Sequence, residues 1–346
     1  MEAATAELAE SARALIAEAE SDPGEVVIRA IPGGASRETW LVADGDPDGG
    51  RRWVLRRDPE GSVSLVPLGE EFGLIRLAAE AGVPVPEPLA FEPAGGRLGS
   101  AGMLMAYVGG TSVAPRILRK DEYAEARERL PAELGAALAR IHSLAAADVD
   151  GLLPPAAEDP ALAQLDEWER QLDEIGEPLP AVELGLRWLR ASAPEPASPR
   201  LVHGDFRLGN FIVDEAGLAA VIDWELAHLG DPAEDIGWLC IRSWRFGSDT
   251  LPVAGVGELE PFLGYYEEAG GSRPDPDRIR YWEAFGNMKW AVICARQAQD
   301  HLSGVRRSHE LASLGRRICE PEWDLLALIA AAAGREAEDA AGGVGS

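Results

Sequence analysis

Lysine is nearly missing from this chain: its 346 residues hold only Lys120 and Lys289. A nucleotide-binding loop of the G-x-x-x-x-G-K-[ST] type needs a lysine after its second glycine. Neither lysine has that context, which excludes a Walker-type P-loop ATPase. Positive charge is scarce in general. Acidic residues number 59 against 32 basic ones, a formal net charge of −27. That argues against nucleic acid and against an anionic membrane surface as partners, although a few arginines gathered in one cleft can still hold a nucleotide. Cysteine is sparse too. Cys240, Cys294 and Cys319 are scattered, odd in number and without metal-like or redox pair spacing, so buried, reduced thiols are expected. The longest apolar run, Leu325 to Ala333, falls far short of the roughly 20 residues that span a bilayer. The opening stretch MEAATAELAESARALIAEAE lacks the basic start and compact apolar block of a signal peptide. It reads as a surface helix with Leu8, Leu15 and Ile16 inward. With only five histidines, and no other close in sequence to His203, a metal site built from several nitrogen ligands is a poor fit. A cytoplasmic location is the expectation.

What is present divides the chain in two. Apolar residues make up 46% of it, enough for a sizeable core. The first hundred residues read as a small sheet with one helix. Three β-rich runs, Val26–Ile31, Thr39–Ala43 and Trp53–Arg57, are separated by glycine-rich turns. The stretch GEEFGLIRLAAEAG has helical spacing, with Phe72, Ile75 and Ala79 on one face and Gly82 as a stop. VPVPEPLAFE is extended, and AGMLMAYVGG is an apolar strand. Beyond it, residues 120–146, 161–175 and 181–192 are helix-like, residues 193–200 are a proline-rich break, and the chain from Ala233 onward is mostly helical. The tail REAEDAAGGVGS is expected to be disordered. The pattern predicts an α+β protein of two lobes, residues 1–107 and 108–346, with a ligand cleft between them.

One block carries chemistry. Residues 201–225 read LVHGDFRLGNFIVDEAGLAAVIDWE. Transfer of a γ-phosphoryl group asks for a base near the acceptor hydroxyl, metal ions across the phosphates and positive charge on the transferred group. Asp205 opens the loop and Asn210 closes it five positions on. Asp223 follows a run, Ala219–Ile222, that can return antiparallel to Phe211–Val213 and bring its carboxylate beside Asn210. Carboxylate and amide oxygens are the hard ligands that Mg²⁺ takes. The D-x-x-x-x-N spacing matches the kinase catalytic loop, and Asp223 falls where kinases carry the aspartate of D-F-G.

Three short motifs occur in order: H-G-D-x-x-x-x-N, I-D-[WF]-[ED] and G-D-P-x-x-D, here HGDFRLGN, IDWE and GDPAED. Together they resemble the aminoglycoside phosphotransferase-type branch of the kinase-like fold. With VLRR at 54–57, the chain most resembles the kinase-like domains related to those fused to some acyl-CoA dehydrogenases. The resemblance implies a bilobal fold with a small antiparallel-sheet N-lobe and a larger, mainly helical C-lobe. It implies an ATP- and Mg²⁺-dependent O-phosphotransferase whose acceptor is a hydroxyl of a small metabolite or antibiotic-like molecule. By position, Asp205 resembles the base, Asn210 and Asp223 the metal ligands, His203 a loop-bracing histidine, and Asp235 a helix-start residue tying the loop to the helical lobe. Asp231 and Glu225 are the leading substrate candidates. Arg207 stands where some members have histidine, and its role is open.

On the nucleotide side, strand alternation puts Val54 and Arg56 on one face, and Arg56 aligns with the lysine of V-A-I-K. Arginine is permanently charged and forked, which suits phosphate. Glu71 is its natural partner, with Glu70 one residue away as competitor. In PGGASRET, the backbone N–H groups of Gly33, Gly34, Ala35 and Ser36 could meet phosphate oxygens. The segment from Met105 through Tyr107 to Val108 resembles the connection between lobes that pairs with adenine. The acceptor should lie over Asp205, between the catalytic loop and the C-terminal helices, where His228, Trp244, Arg245, Tyr265, Tyr266, Trp282, Lys289 and Trp290 are further candidates. The competing reading is a catalytically idle, nucleotide-binding regulatory module. Arg56 in place of lysine favours it, and the intact set Asp205, Asn210 and Asp223 favours the enzyme.

Overall fold

The computed structural model describes residues 2–31, 37–59 and 66–342. It opens with α1 (Glu2–Ala19), then three antiparallel strands, β1 (Val26–Ala30), β2 (Glu38–Asp44) and β3 (Arg52–Arg57). Helix α2 (Leu68–Glu80) precedes β4 (Pro88–Glu92) and β5 (Gly102–Ala106). The five strands form one sheet in the order β1-β2-β3-β5-β4. Period-two alternation decides which helix each side chain meets. Val42, Trp53, Leu55 and Leu104 pack with Leu8, Leu15 and Ile16 of α1. Met103, Met105 and Val54 turn to the other face, against Leu74, Ile75 and Ala78 of α2. Arg56 shares the face of Val54, the α2 side.

Helix α2 differs from its expected orientation. Its buried residues are Leu68, Glu71, Gly73, Leu74, Ile75 and Ala78. Ala79 is exposed, and Phe72 is half-buried beside Phe91, with ring centroids 6.0 Å apart. The inward line contains a carboxylate, so apolar periodicity alone reads the face about one position out of phase.

After α3 (Ala114–Arg119), the helical part is built on α4 (Ala124–Ser143), α5 (Pro160–Ile175) and α6 (Pro180–Ala191). Short strands follow: β6 (Arg200–Val202), β7 (Phe211–Val213), β8 (Leu218–Val221) and β9 (His228–Gly230). β7 and β8 form the anticipated hairpin, and β6 pairs with β9. Next come α7 (Ala233–Cys240), α8 (Leu259–Glu268), α9 (Pro276–Ser303), α10 (His309–Arg317) and α11 (Cys319–Gly342). The principal core runs without interruption from Met103 and Ile75 to Leu134, Phe211, Leu239 and Phe262. A second core joins α5, α6 and α9 through Trp168, Leu186, Trp282 and Phe285. Helices α7 and α9 cross at very close range: a Cβ on Gly237 would lie 2.5 Å from the Trp282 carbonyl carbon, and one on Gly286 3.0 Å from Ile241 Cγ2.

Two further expectations change. The tail from Arg335 continues helix α11 as far as Gly342, consistent with the high helix propensity of its alanines, glutamates and arginine. Cys240 and Cys294 are buried, whereas Cys319 is exposed at the start of α11. Among the described residues, no helix is long and apolar enough to cross a membrane.

Glu283 of α9 gives this packing a pH dependence. Burial pushes its carboxyl up to about 7 from an ordinary 4.5, against the pull of the Arg245 guanidinium 3.3 Å away. A folded-state value above the unfolded one stabilises fully below the unfolded value, and that stability is lost as pH rises through the folded value. Glu283→Gln should therefore match the wild type near pH 4.5 and exceed it at pH 8 by ~1–3 kcal/mol. Denaturant melts at both pH values check this; an unchanged difference between them rules it out.

Candidate active site

The loop between β6 and β7 takes its shape from one buried carboxylate. Asp235, in the first turn of α7 and 0% exposed, accepts from the backbone N–H of His203 at 2.8 Å and of Gly204 at 2.9 Å. Its Oδ2 also meets His142 Nε2 at 3.2 Å, and His142 Nδ1 meets the Tyr266 hydroxyl at 2.8 Å. Burial alone would raise the Asp235 carboxyl; the His142 and backbone hydrogen bonds bring it below its usual value. His203 is fully buried beside Trp224, ring centroids 4.7 Å apart, and its Nδ1 accepts the Asp205 N–H at 3.2 Å. Burial lowers the His203 pKa, so the ring is a neutral brace.

Asp205 follows, with its carboxylate held by three donors. Oδ1 accepts from Arg207 Nε at 2.8 Å and from Trp238 Nε1 at 2.8 Å, and Oδ2 accepts from Asn210 Nδ2 at 2.5 Å. The Arg207 guanidinium lies over the Trp244 ring, 4.4 Å from its centroid. Asn210 donates also to the Asp205 carbonyl at 3.0 Å. Its amide nitrogen is thus committed to Asp205, and Oδ1 is the atom left for a cation.

The hairpin brings Asp223 to the same place. The Ile222 N–H donates to the Asn210 carbonyl at 2.9 Å, so the residue before Asp223 is tied to Asn210 itself. Asp223 has φ of 71°, a conformation that non-glycine residues adopt at a cost and that clusters at functional sites. Asn210 and Asp223 line one cavity of about 400 Å³ with Val54, Arg56, Met105 and Tyr107. One amide oxygen and one carboxylate suit Mg²⁺, which takes few protein ligands and fills its shell with phosphate and water oxygens.

Arg56 closes the cavity from the sheet. Its Nη1 donates to Glu71 Oε1 at 2.6 Å and its Nη2 to Asp223 Oδ1 at 3.1 Å. Glu71, not Glu70, is the partner. The other Glu71 oxygen is taken by Arg37, which also holds Asp58 at 2.8 Å and the Val66 carbonyl at 2.7 Å. Arg37 is 4% exposed. Reading the sequence missed it because its partners lie 21 to 34 residues away. Trp238 and the His142–Tyr266 pair were missed for the same reason.

The segment joining sheet and helices is anchored by a two-way bridge, Thr111 N–H to Val213 and Val213 N–H to Thr111, both 2.9 Å. Within it, the Ala106 N–H goes to the Glu87 carbonyl at 2.9 Å and the Tyr107 N–H to the Arg52 carbonyl at 3.2 Å. Gly33, Gly34, Ala35 and Ser36 lie outside the described residues. Of the substrate candidates, Glu225 is half-buried after β8. Asp231 lies just before α7. It is 3% exposed, and its carboxylate accepts from Ala233 N–H at 3.0 Å, Arg278 at 2.7 Å and Trp282 at 2.6 Å. It joins α7 to α9.

Because Glu71 is fully buried, removing one of its two guanidinium partners leaves charge poorly compensated. Arg37→Met should lower unfolding free energy by ~2–4 kcal/mol, against ~0.5 kcal/mol for Arg129→Met, which breaks an exposed i,i+4 pair with Glu125. Equal denaturant midpoints for the two variants would contradict that role.

Known proteins resemble this chain over most of its length. Residues 27–282 match the model of the phosphotransferase enzyme family. Acyl-CoA dehydrogenase family member 10 of Mus musculus is 29% identical over 315 residues, covering 84% of this chain but only 28% of that protein's length. Among solved structures, a Ralstonia eutropha protein assigned as an aminoglycoside phosphotransferase superposes with a TM-score of 0.72 at 22% identity, covering 91% of this chain and 97% of that one. Spectinomycin phosphotransferase in complex with ADP and spectinomycin superposes with a TM-score of 0.60 at 14% identity, covering 91% and 93%. The likeness to solved structures shows the bilobal kinase-like fold, and the match over most of the chain makes it a member of the phosphotransferase enzyme family.

Proposed function

We propose that the protein moves the γ-phosphoryl group of ATP to a hydroxyl of a small molecule, with Mg²⁺ required. The observation that carries this reading is that Arg56, Asn210 and Asp223 line one cavity, with Arg56 bonded to Asp223 and Asn210 bonded to Asp205. The lobe boundary falls after Tyr107, and a cytoplasmic setting supplies both ATP and the cation.

Each residue has a task. Arg56 presents its guanidinium, oriented by Glu71, to the phosphates. Val54, Met105 and Tyr107 line the nucleotide cavity. Since the N–H groups of Ala106 and Tyr107 are already used within the sheet region, the backbone of Val108 is the donor assigned to the base. Gly33, Gly34 and Ser36 belong to the loop assigned to cover the phosphates. Asn210 Oδ1 and the Asp223 carboxylate would hold Mg²⁺, which when bound supplies positive charge across the β- and γ-phosphates. Asp205 takes the proton of the acceptor hydroxyl. Its Oδ1 already accepts two hydrogen bonds and Oδ2 only one, so Oδ2 is the atom with a lone pair to spare. The acceptor oxygen then bonds to the γ-phosphorus as the bond to the β–γ bridging oxygen breaks, and ADP leaves with that electron pair.

The acceptor is assigned to a second cavity of about 500 Å³, bordered by Val66, Glu70, Leu152, Trp168, His228 and Lys289. His228 carries a raised pKa: burial opposes the charge, but the Glu234 carboxylate, 3.0 Å from its Nε2, more than offsets this.

Asp205→Asn should keep MgATP binding and reduce turnover by at least ~10²-fold, the scale of a lost general base; steady-state kinetics with turnover intact would remove Asp205 from this role. Asp223→Ala should abolish the Mg²⁺-dependent part of the thermal shift given by ATP, and retention of that part would put the cation elsewhere. The idle-module reading, which Arg56 for lysine favours, predicts a MgATP shift in the wild type with no ATP consumed against any hydroxyl acceptor.

A further inference from the structure

Lys289 borders the second cavity and reaches the catalytic loop with its ammonium. It is 2% exposed. Its Nζ donates to the Gly204 carbonyl at 2.8 Å, lies 3.5 Å from Glu234 Oε1, and sits over the rings of Trp238 and Trp168 at 4.7 and 5.6 Å. A buried ammonium is unfavourable unless it is paired and hydrogen-bonded, so this placement calls for an explanation.

The backbone at Gly204 supplies one. Gly204 has φ of +77°, and a Cβ there would come within 2.2 Å of the Leu226 carbonyl oxygen. In that turn its N–H goes to Asp235 at 2.9 Å and its carbonyl to Lys289 at 2.8 Å. The residue is clamped at both polar ends, and the next residue is Asp205. Delivery of the ammonium depends on the close crossing of α7 and α9 at Gly237 and Gly286. Lys289 lies three positions beyond Gly286, one helical turn along the same face.

Charge pairing alone does not account for Lys289. Glu234 Oε2 already has His228 Nε2 at 3.0 Å, and the ammonium lies 3.5 Å from Glu234 Oε1 but only 2.8 Å from the Gly204 carbonyl.

We propose that Lys289 is a positioning residue for Asp205. It fixes the Gly204 carbonyl, and with it the direction in which the next residue presents its carboxylate. Because the same ammonium borders the second cavity, it ties the orientation of the base to the acceptor held there. This rests on the phosphotransferase reading of the site, but the clamp itself can be measured without turnover.

The test uses Lys289→Met, which keeps a long unbranched stem between the two indole rings and removes the donor. Amide hydrogen exchange at residues 204–206 should quicken by ~10-fold or more while α7 keeps its protection. The MgATP dissociation constant should stay within ~2-fold of wild type and kcat fall by ~10-fold or more with the KM for ATP unchanged, because only the base is misdirected. Glu234→Gln, which removes the charge partner and leaves the lysine donor, should keep wild-type exchange at 204–206. Wild-type exchange in Lys289→Met overturns the proposal. So does equal quickening in Glu234→Gln, or loss of MgATP binding in step with kcat, since each would make Lys289 a general structural support. If Lys289→Met does not fold, Lys289→Gln is judged by the same exchange and kinetic criteria. Absence of wild-type turnover with every acceptor would sink the phosphotransferase reading, and the exchange data would still decide the clamp.

Discussion

Two consecutive backbone N–H groups donating to one buried carboxylate shape the centre of this protein. Asp235 takes the N–H of His203 and of Gly204 from a position in the first turn of α7, where negative charge is favoured by the helix dipole. The consequence travels along the chain. Gly204 is held in a left-handed turn that only glycine can occupy against Leu226. Asp205 then emerges toward Trp238, Arg207 and Asn210. Asn210 in turn takes the Ile222 N–H, and that bond brings Asp223 within reach. A chain of hydrogen-bonded constraints thus gathers groups that lie 18 residues apart in the sequence from Asp205 to Asp223.

The sheet meets this construction through alternating charge. Arg37, Glu71, Arg56 and Asp223 form a line of guanidinium, carboxylate, guanidinium, carboxylate. Removing such groups from water is unfavourable, and an isolated pair at this depth would gain little. In a line, the inner groups serve two partners, and the outer end, Asp223, lines the same cavity as Arg56. Arginine matters here because its fork reaches Glu71 with one nitrogen and Asp223 with another, whereas a lysine presents a single point of charge. The substitution that argued for an idle relative therefore has a structural use: Arg56 spans the junction between sheet and catalytic hairpin.

The sequence made some of this legible and hid the rest. Arg56 beside Val54 follows from the period of a strand, and the Asp205–Asn210–Asp223 set from spacing within one loop and hairpin. Both are local rules. The inward face of α2 was misread because Glu71 holds a place that an apolar residue would ordinarily take, and its compensation, Arg37, lies 34 residues away. Trp238 on Asp205 and Tyr266 on His142 are likewise bonds between distant elements, separated by 33 and 124 residues; no periodicity signals them. Asp231 shows the converse. Its motif position made it a substrate candidate, but Arg278 and Trp282 of α9 both bond its Oδ2 and the Ala233 N–H bonds its Oδ1, and nothing near Asp231 in the sequence reveals a helix that begins 45 positions later.

The choice between arginine and lysine at the buried positions acquires a physical sense from these contacts. At Arg56 and Arg37 the partners are several and divergent, and a planar fork satisfies them together. At position 289 the partners are one carbonyl, one carboxylate and two indole faces around a buried ammonium. A compact ammonium on a flexible stem can serve all four from one point, while a guanidinium would need room in its own plane. The close approach of α7 to α9 at Gly237 and Gly286 leaves little such room. Arginine at 37 and 56 and lysine at 289 follow one geometric distinction, between sites that want a fork and a site that wants a point.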